Sequence, residues 1–547
     1  MRRPYFIAYR VDELTAVGAA ATRGSLVSSG EEHTRRLSVE LRVGDYTFDN
    51  SNFMGAPSHA GGRLSMWGGM GDAPLDDDYA VLRHQFWLAT DASYKGGVED
   101  LARKRAVLAN RSRRDTVPDF SREDVVNVRD EGPLPRLDPA AAEQLVRDVS
   151  SVFSGTPDID ESNVLWNGAV VRTWYVNSEG SSFVRATPTI MVRTYAATRT
   201  ADGTSLDDAA IAFGGSSADL VAGARDLAGR LTAVRRADAP ELYDGPVLLE
   251  GQAAVRIVAD VLAPALMGTR APISDEPMFE QFWAQRGQGL QTRLGARILP
   301  TFLSATDNPT VRSFEGQTLG GYLVDDDGVR ARETQVVNHG VLRTLLTTRV
   351  PIRGVRRSTG NRRGEGPVVS NLFVSPDSGL SAEQLQRRLL ALAAARGLPY
   401  AVVVRRVGGA GDLVGGDPMA IMAAMANRMG GESEFGATLA FKVFPDGHEE
   451  QIRNASISGL TVASFRDIVA ASRSRTVGRV EFQGQFGGGG AFMFGFAPGD
   501  RASYHGDIGY VASYVVPSLL FEEASLKAPS GDRMRPPLLP PPWAPER

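Results

Sequence analysis

The residues able to do chemistry are few and scattered. The chain carries His33, His59, His84, His339, His448 and His505, and no cysteine. No Cys means no disulfide, no thiolate nucleophile and no Cys-based zinc site. No two histidines lie close enough in sequence to share one helix turn, so no paired-imidazole motif exists. His448-Glu449-Glu450 follows Pro445-Asp446-Gly447 and reads as an exposed turn between strands. No Gly-x-Ser-x-Gly elbow occurs, and Ser178 in Asn177-Ser-Glu-Gly180 reads as a turn residue. Gly487 to Gly490 lacks the Lys-Ser/Thr of a phosphate loop and reads as a Gly-rich connection. The chemistry best represented is arginine. Only Lys95, Lys104, Lys442 and Lys527 are lysines, and every other basic residue is Arg. Arg353, Arg356, Arg357, Arg362 and Arg363 crowd one Gly/Ser-rich stretch, where guanidinium groups can grip a carboxylate bidentately.

These residues need a scaffold, and composition describes an ordinary globular one. The chain has 547 residues, 42% hydrophobic, with a net charge of −4. That balance gives no basic field for nucleic acid, and no stretch reaches the roughly 20 apolar residues of a membrane span. The apolar run after Met1-Arg2-Arg3 is too short for a signal peptide and reads as a first strand, so a cytoplasmic location is expected.

Local patterning predicts a mixed α/β (α+β) fold. Leu37, Val39, Leu41 and Val43 alternate with polar residues, as in a half-buried strand. Helices are expected at about 80–94 and 98–108, then after Asp138-Pro139, with 118–135 as a connection. Strands are expected at 164–166, 170–176, 182–186 and 188–199, followed by an amphipathic helix at 217–235. In the second half, a strand at 245–249 should run into a helix at about 250–266. Asp325 to Gly328 should turn between strands 322–324 and 329–337. Ser381-Ala-Glu-Gln384 is a capping box for a helix through Leu385, Leu389 and Leu392. Strands should follow at 400–406, 438–444 and 511–516. The expected organisation is an N-terminal α/β domain over 1–240, a large β-rich C-terminal domain over 241–530, and a Pro-rich tail over 531–547.

Several motifs, in order, then point to a family. Asp307-Asn-Pro309, Gly320-Gly-Tyr-Leu-Val-Asp-Asp-Asp-Gly328, Val337-Asn-His-Gly through Arg349, and Ser358-Thr-Gly-Asn361 resemble the core of the TldD/PmbA family. Tyr175 to Gly180, Asp202-Gly203 and Pro517 to Glu523 extend the resemblance over roughly residues 35–530. The resemblance implies a zinc peptidase that works as a dimer. Its catalytic subunit carries His-Glu-x-x-x-His on a helix after a Val-Leu-Leu strand, with a later Cys as third ligand. Such a helix holds zinc with two imidazoles one turn apart and uses Glu as general base. Here the three positions fall on Glu250, Gly251 and Val255.

The chain therefore looks like the TldE/PmbA kind of subunit. That implies no metal in this chain, a zinc-bearing TldD-like partner and a peptide substrate, while charge and the absence of aromatic residues beside the Arg cluster argue for no nucleic acid. Gln252, His339, Asn361 and Arg362 are the substrate-binding candidates under this reading. Two alternatives stay open. One is a metal-independent tailoring enzyme in peptide or small-molecule biosynthesis, with Glu250 as acid or base. In that case Glu250 must do more than favour the helix N-terminus by its charge. The other is a non-catalytic, homodimeric peptide-binding protein.

Overall fold

The computed structural model describes residues 3–54, 71–109, 117–276, 289–364, 366–408, 434–482 and 510–529. The Gly487–Gly490 stretch and the 531–547 tail lie outside the described residues.

Strands β1 (Pro4–Thr22) and β2 (Ser25–Val43) form a hairpin of two 19-residue strands. Its two-residue loop puts Arg23 at φ 49° and Gly24 at φ 82°, the left-handed pair that matches strand twist. The Arg23 guanidinium, donating to Phe153 O at 2.8 Å and to Ile159 O, holds the non-glycine residue there. The strands β3 (Asn127–Asp130), β4 (Glu161–Asn177), β5 (Ser182–Arg199) and β6 (Ser205–Ala212) complete a sheet. With the short strand Gly71–Ala73 at its edge, the order is Gly71–Ala73, β2, β1, β4, β5, β3, and β6 also pairs with β5. Leu37, Val39, Leu41 and Val43 point inward as their alternation requires and pack on helix α1 (Tyr79–Ala109). Farther along the same hairpin, Val17 and Ala19 meet helix α2 (Pro139–Ser151) through Val146, the turn after it (Val152–Gly155) through Phe153, and helix α3 (Ser217–Arg236) through Leu220 and Leu227. Asp138 caps α2, and Ser216 with Asp219 makes a capping box on α3.

The second half is a larger sheet. Its main strands are β7 (Tyr243–Leu249), β8 (Leu303–Asp307), β9 (Thr334–Asn338), β10 (Asn371–Pro376), β11 (Ala401–Gly408) and β12 (Phe435–Val443), then β13 (Ala455–Ser458), β14 (Ile468–Phe482) and β15 (Tyr510–Lys527). β7 pairs with β11, β11 with β12, β12 with β13, β13 with β15, and β15 again with β7, so the pairing closes on itself. β15 also carries β14 and, through β10, β8 and β9. Helix α4 (Gly251–Ile257) follows β7, and the chain continues as a π turn over Val258–Leu262 and a last helical turn Ala263–Ala265. Pro264 has no N–H to give the preceding turn, which fits the widened register. Helix α5 (Ala382–Ala395) is capped by Ser381 and Gln384 as the sequence predicts, with Leu385 and Leu389 fully buried. The mixed, strand-rich α/β fold expected from the sequence is the fold observed.

Local expectations differ at several points; the strands expected at 182–186 and 188–199 are one strand, β5, and the connection expected at 118–135 carries β3. The two helices around 80–108 are one continuous helix, because Gly97 is used for close approach rather than as a break. A Cβ there would stand 3.0 Å from Asn50 Nδ2. The strands expected at 164–166 and 170–176 are one strand, β4, with the Trp166 ring folded over Gly168 where a Cβ would be. The strands expected on both sides of Asp325–Gly328 are absent apart from one bridge, Val324 to Arg330, and the ladder begins only at Thr334. Backbone bonds from Asp325 N to Val329 O and from Gly328 N to Asp325 O close that turn, and the Asp325 carboxylate adds bonds from the N–H groups of Asp327, Val329 and Arg362. Among the described residues no helix is long and apolar enough to cross a membrane.

The two sheets meet at Phe6, Ala8, Phe120, Tyr175 and Phe183 from one side and Val324 from the other. Beside this apolar seam lies a buried charge network. Asp326 pairs with Arg185 at 2.5 Å and Arg10 at 3.2 Å. Arg362 spans Asp327 at 2.5 Å and Glu40 at 3.1 Å. Arg349, 2% exposed, grips both oxygens of Glu179 at 2.6 and 2.9 Å. Burial and the neighbouring Asp327 push Asp325 up to about 8. Burial works the same way on Asp326, but Arg10 and Arg185 outweigh it and hold that carboxyl well below the usual range.

Candidate functional site at the head of the broken helix

Strand β7 delivers the site. Val247, Leu248 and Leu249 are buried on both faces of the sheet, as an apolar run in a central strand requires. The chain leaves the sheet at Glu250, whose N–H still donates to Val404 O at 2.9 Å. It then enters the helix through Gly251 at φ 54°, a conformation that favours glycine.

Glu250 stands at the helix N-cap position but makes no side-chain capping bond. Its carboxylate instead accepts from Arg405 Nε at 3.0 Å. Arg405 turns its other edge to Glu449, donating at 2.7 and 2.8 Å to the two oxygens, and lies 4.6 Å from the Phe441 ring centroid. One guanidinium thus bridges two carboxylates. A bulge in β11, where the register with β12 shifts between Val404 and Arg406, lets consecutive arginines face different partners. Arg406 reaches Asp208 at 3.4 Å and Ala209 O at 2.7 Å, on the N-terminal sheet.

Gln252 and Val255 face inward. The Gln252 side chain donates to Val407 O at 2.9 Å and accepts from Val407 N at 2.8 Å, imitating a strand neighbour for one backbone residue. Val255 is 3% exposed and packs on Gly478 of β14, where a Cβ would come within 2.4 Å of Val255 Cγ1. The positions that the resemblance assigns to zinc therefore do not fit a zinc ion. They offer one carboxylate already facing a fixed cation, one glycine without a side chain, and one valine sealed in the core. Among the described residues no group of three His, Cys, Asp or Glu side chains is placed to hold a metal ion.

The other sequence candidates lie elsewhere. His339 occupies a left-handed turn at φ 46°, exposed, with Nδ1 3.1 Å from Asp377. Asn361 is fully buried and donates to Asp307 Oδ2 at 2.7 Å and to Val368 O at 3.2 Å. Ser370 completes that cluster, giving its N–H and hydroxyl to Asp307. Burial raises Asp307 to about 6 against these donors. Arg362 is spent in the ion pairs with Asp327 and Glu40, and Arg357 faces Glu123 at 3.1 Å. The structure brings Glu250, Gly251, Gln252 and Val255 together on one short helix, and it separates them from His339, Asn361 and Arg362. Arg405 escapes sequence reasoning, and Glu449 reads from sequence only as part of an exposed turn, because only the bulge in β11 aims Arg405 at the helix head. His448 and Ser178 are turn residues, as the sequence predicts: His448 stacks on Phe444, and Ser178 exchanges bonds with the Ile7 backbone.

With this geometry in hand, likeness to known proteins is informative. The family model described as the PmbA/TldA metallopeptidase C-terminal domain matches residues 244–528. Over 108 residues the chain is 32% identical to a metalloprotease of Methanocaldococcus jannaschii, 19% of this chain and 23% of that one. A metalloprotease of Methanothermobacter thermautotrophicus is 35% identical over 102 residues, 18% and 21% of the two chains. The matched stretches thus span less than a quarter of these relatives. Solved structures share the fold along nearly the whole chain. A candidate modulator of a DNA gyrase from Thermotoga maritima aligns with a TM-score of 0.59 at 15% identity, covering 95% of this chain and 96% of its own. TldE from Thermococcus kodakarensis aligns at 0.55 and 13%, covering 96% and 97%. A sheet whose described strands run from Tyr243–Leu249 to Tyr510–Lys527, the ordered motifs among them and the matched family model together make this chain a member of the PmbA/TldD family of metallopeptidase-related proteins.

Proposed function

We propose that this chain is a TldE/PmbA-like subunit without a metal of its own, which pairs with a zinc-bearing TldD-like subunit and helps to hold peptide substrate. The observation that carries the reading is the use of the zinc positions for other contacts. Glu250 neutralises Arg405, and Val255 fills the core against Gly478. In this reading zinc and the activated water belong to the partner, and this chain contributes shape and binding groups. TldE of Thermococcus kodakarensis has the same fold.

The test is co-expression with a homologue carrying His-Glu-x-x-x-His, followed by size measurement, elemental analysis and peptide cleavage. A mixed complex should form, with zinc and cleavage present only when that partner is present. Stoichiometric zinc on this chain alone, or cleavage by it alone, would sink the reading.

A further inference from the structure

On β14 the register with β15 runs without a break from Arg475 to Phe482, so Arg475, Val477 and Arg479 share one face. That face is opposite Gly478 and the helix α4. The two guanidinium groups are treated alike. Arg475 lies 4.5 Å from the Phe314 ring centroid and Arg479 lies 4.6 Å from that of Phe213. Their polar contacts are thin. Arg475 donates to Ser375 Oγ at 3.0 Å, and Arg479 reaches only Phe213 O at 3.4 Å. The Nε of Arg479 is buried without a partner. Neither arginine has a carboxylate partner among the described residues, whereas the buried Arg35, Arg42, Arg185, Arg256 and Arg349 all do. The nearest acid on the same face, Glu481, is held by Arg193 at 2.9 Å. Burial without an offsetting charge draws Arg479 below the ordinary arginine value, though it stays a cation.

The floor between the two arginines is apolar. β10 and β15 pair Phe373 with Val515, and β14 pairs Val477 with Val515, so the three side chains form one row, in which Val515 is fully buried and Phe373 and Val477 are half-buried. Phe314 meets Phe373 edge-on at 6.0 Å. A cation on an aromatic face keeps its edge donors for a third group, and a stacked guanidinium is already oriented for bidentate contact. Two residues four apart on a strand stand about 13 Å from each other, at roughly 3.3 Å per residue. Two side chains four residues apart on an extended peptide have the same spacing.

We infer that Arg475 and Arg479 form an anchoring pair for an acidic segment of extended peptide, each arginine taking one carboxylate while the half-buried Val477 stands between them. This deepens the peptide-binding reading above by naming a substrate class. Nucleic acid fits less well. Arg193, which reaches Glu481 on the same face, is spent on that carboxylate, and a strand of phosphates would need more cations than two.

The test is fluorescence anisotropy on the full chain, without a partner. The probes are labelled decapeptides of Ser and Ala: one with two glutamates four residues apart, one with glutamines there, and one with adjacent glutamates. The spaced-glutamate probe should bind about tenfold or more tighter than the other two, the size of one charge-assisted contact. Arg475→Gln and Arg479→Gln should each remove about tenfold for that probe alone, and the Lys variants should recover part of the loss. Should either Gln variant fail to fold, the other and the Lys pair decide. Equal binding of glutamate and glutamine probes would overturn the inference, as would tighter binding of an oligothymidylate. The readout needs neither zinc nor cleavage. A missing partner requirement would therefore fell the subunit reading and leave this one standing, and the reverse holds too.

Discussion

Val255 and Gly478 fit as side chain into absence of side chain. The Val255 methyl Cγ1 lies 2.4 Å from where a Cβ on Gly478 would stand, and Cβ and Cγ2 lie 3.1 Å from it. The valine on the helix and the glycine on the strand are one packing unit, and each makes the other necessary.

That unit predicts a non-additive mutant cycle. Gly478→Ala should cost about 1–3 kcal/mol from overpacking. Val255→Ala alone should also destabilise, by roughly 2 kcal/mol, through the cavity it leaves. The double variant should be more stable than the sum of the two losses predicts. Urea unfolding of the four proteins measures this, and strict additivity would contradict the contact.

The bridge through Arg405 gives a second prediction. Arg405→Lys keeps the charge but cannot hold Glu250 and Glu449 by separate edges. All three side chains are partly exposed, so the expected cost is small, about 0.5–1 kcal/mol. Glu250→Gln should leave peptide cleavage by the assembled complex unchanged. A large loss of rate with assembly intact would instead favour chemistry at Glu250.

Lys104 gives a larger effect. It is completely buried, 2.7 Å from Asp119, and also donates to the carbonyls of Asp49 at 3.0 Å and Ser51 at 2.6 Å. Burial draws its pKa down, against the pull of Asp119. Lys104→Met removes the cation and leaves those acceptors buried, which should cost about 3–5 kcal/mol in chemical unfolding. A change below about 1 kcal/mol would mean that the Arg270 contact to Asp119, at 3.2 Å, carries the site alone.

The acid side of the stability curve should report on Glu40. Burial would raise this carboxyl, but Arg42 and Arg362 outweigh it and hold it at about 2, against 4.5 for the free group. A depressed acid stabilises the fold above its unfolded value and loses that contribution as pH falls through the folded value. Glu40→Gln should therefore be less stable at pH 7 by about 1–3 kcal/mol. The deficit should shrink between pH 4.5 and 2, as the parent protein loses its own contribution. A constant deficit across that range would exclude the ion pairs as its cause.

Much of the local structure could be read directly from residue order. Leu37 to Val43 alternate, Asp138-Pro139 starts a helix, Ser381 and Gln384 cap another, and Leu220, Ala224, Leu227 and Leu231 line a buried stripe. These features depend on neighbours within a few positions, where periodicity and capping chemistry operate. The same reasoning fails where a distant partner decides. The helices expected at 80–94 and 98–108 join through Gly97, which lies against Asn50, and the turn at Asp325 to Gly328 forms but lacks the flanking strands expected of it, its acids being held by Arg10, Arg185 and Arg362.

The sequence by itself determined the family, the absence of cysteine, the types at positions 250, 251 and 255, and the mixed strand-rich class. These are matters of residue identity and short-range order. Only the tertiary structure decided what those residues do. It gave Glu250 a guanidinium from a bulged strand 155 positions away, gave Val255 the backbone of Gly478, and turned Arg362 from a free cation into the bridge between Glu40 and Asp327. The physical reason is that Coulomb attraction and close packing act between atoms near in space, and the closure of the C-terminal sheet brings together residues that the chain keeps far apart.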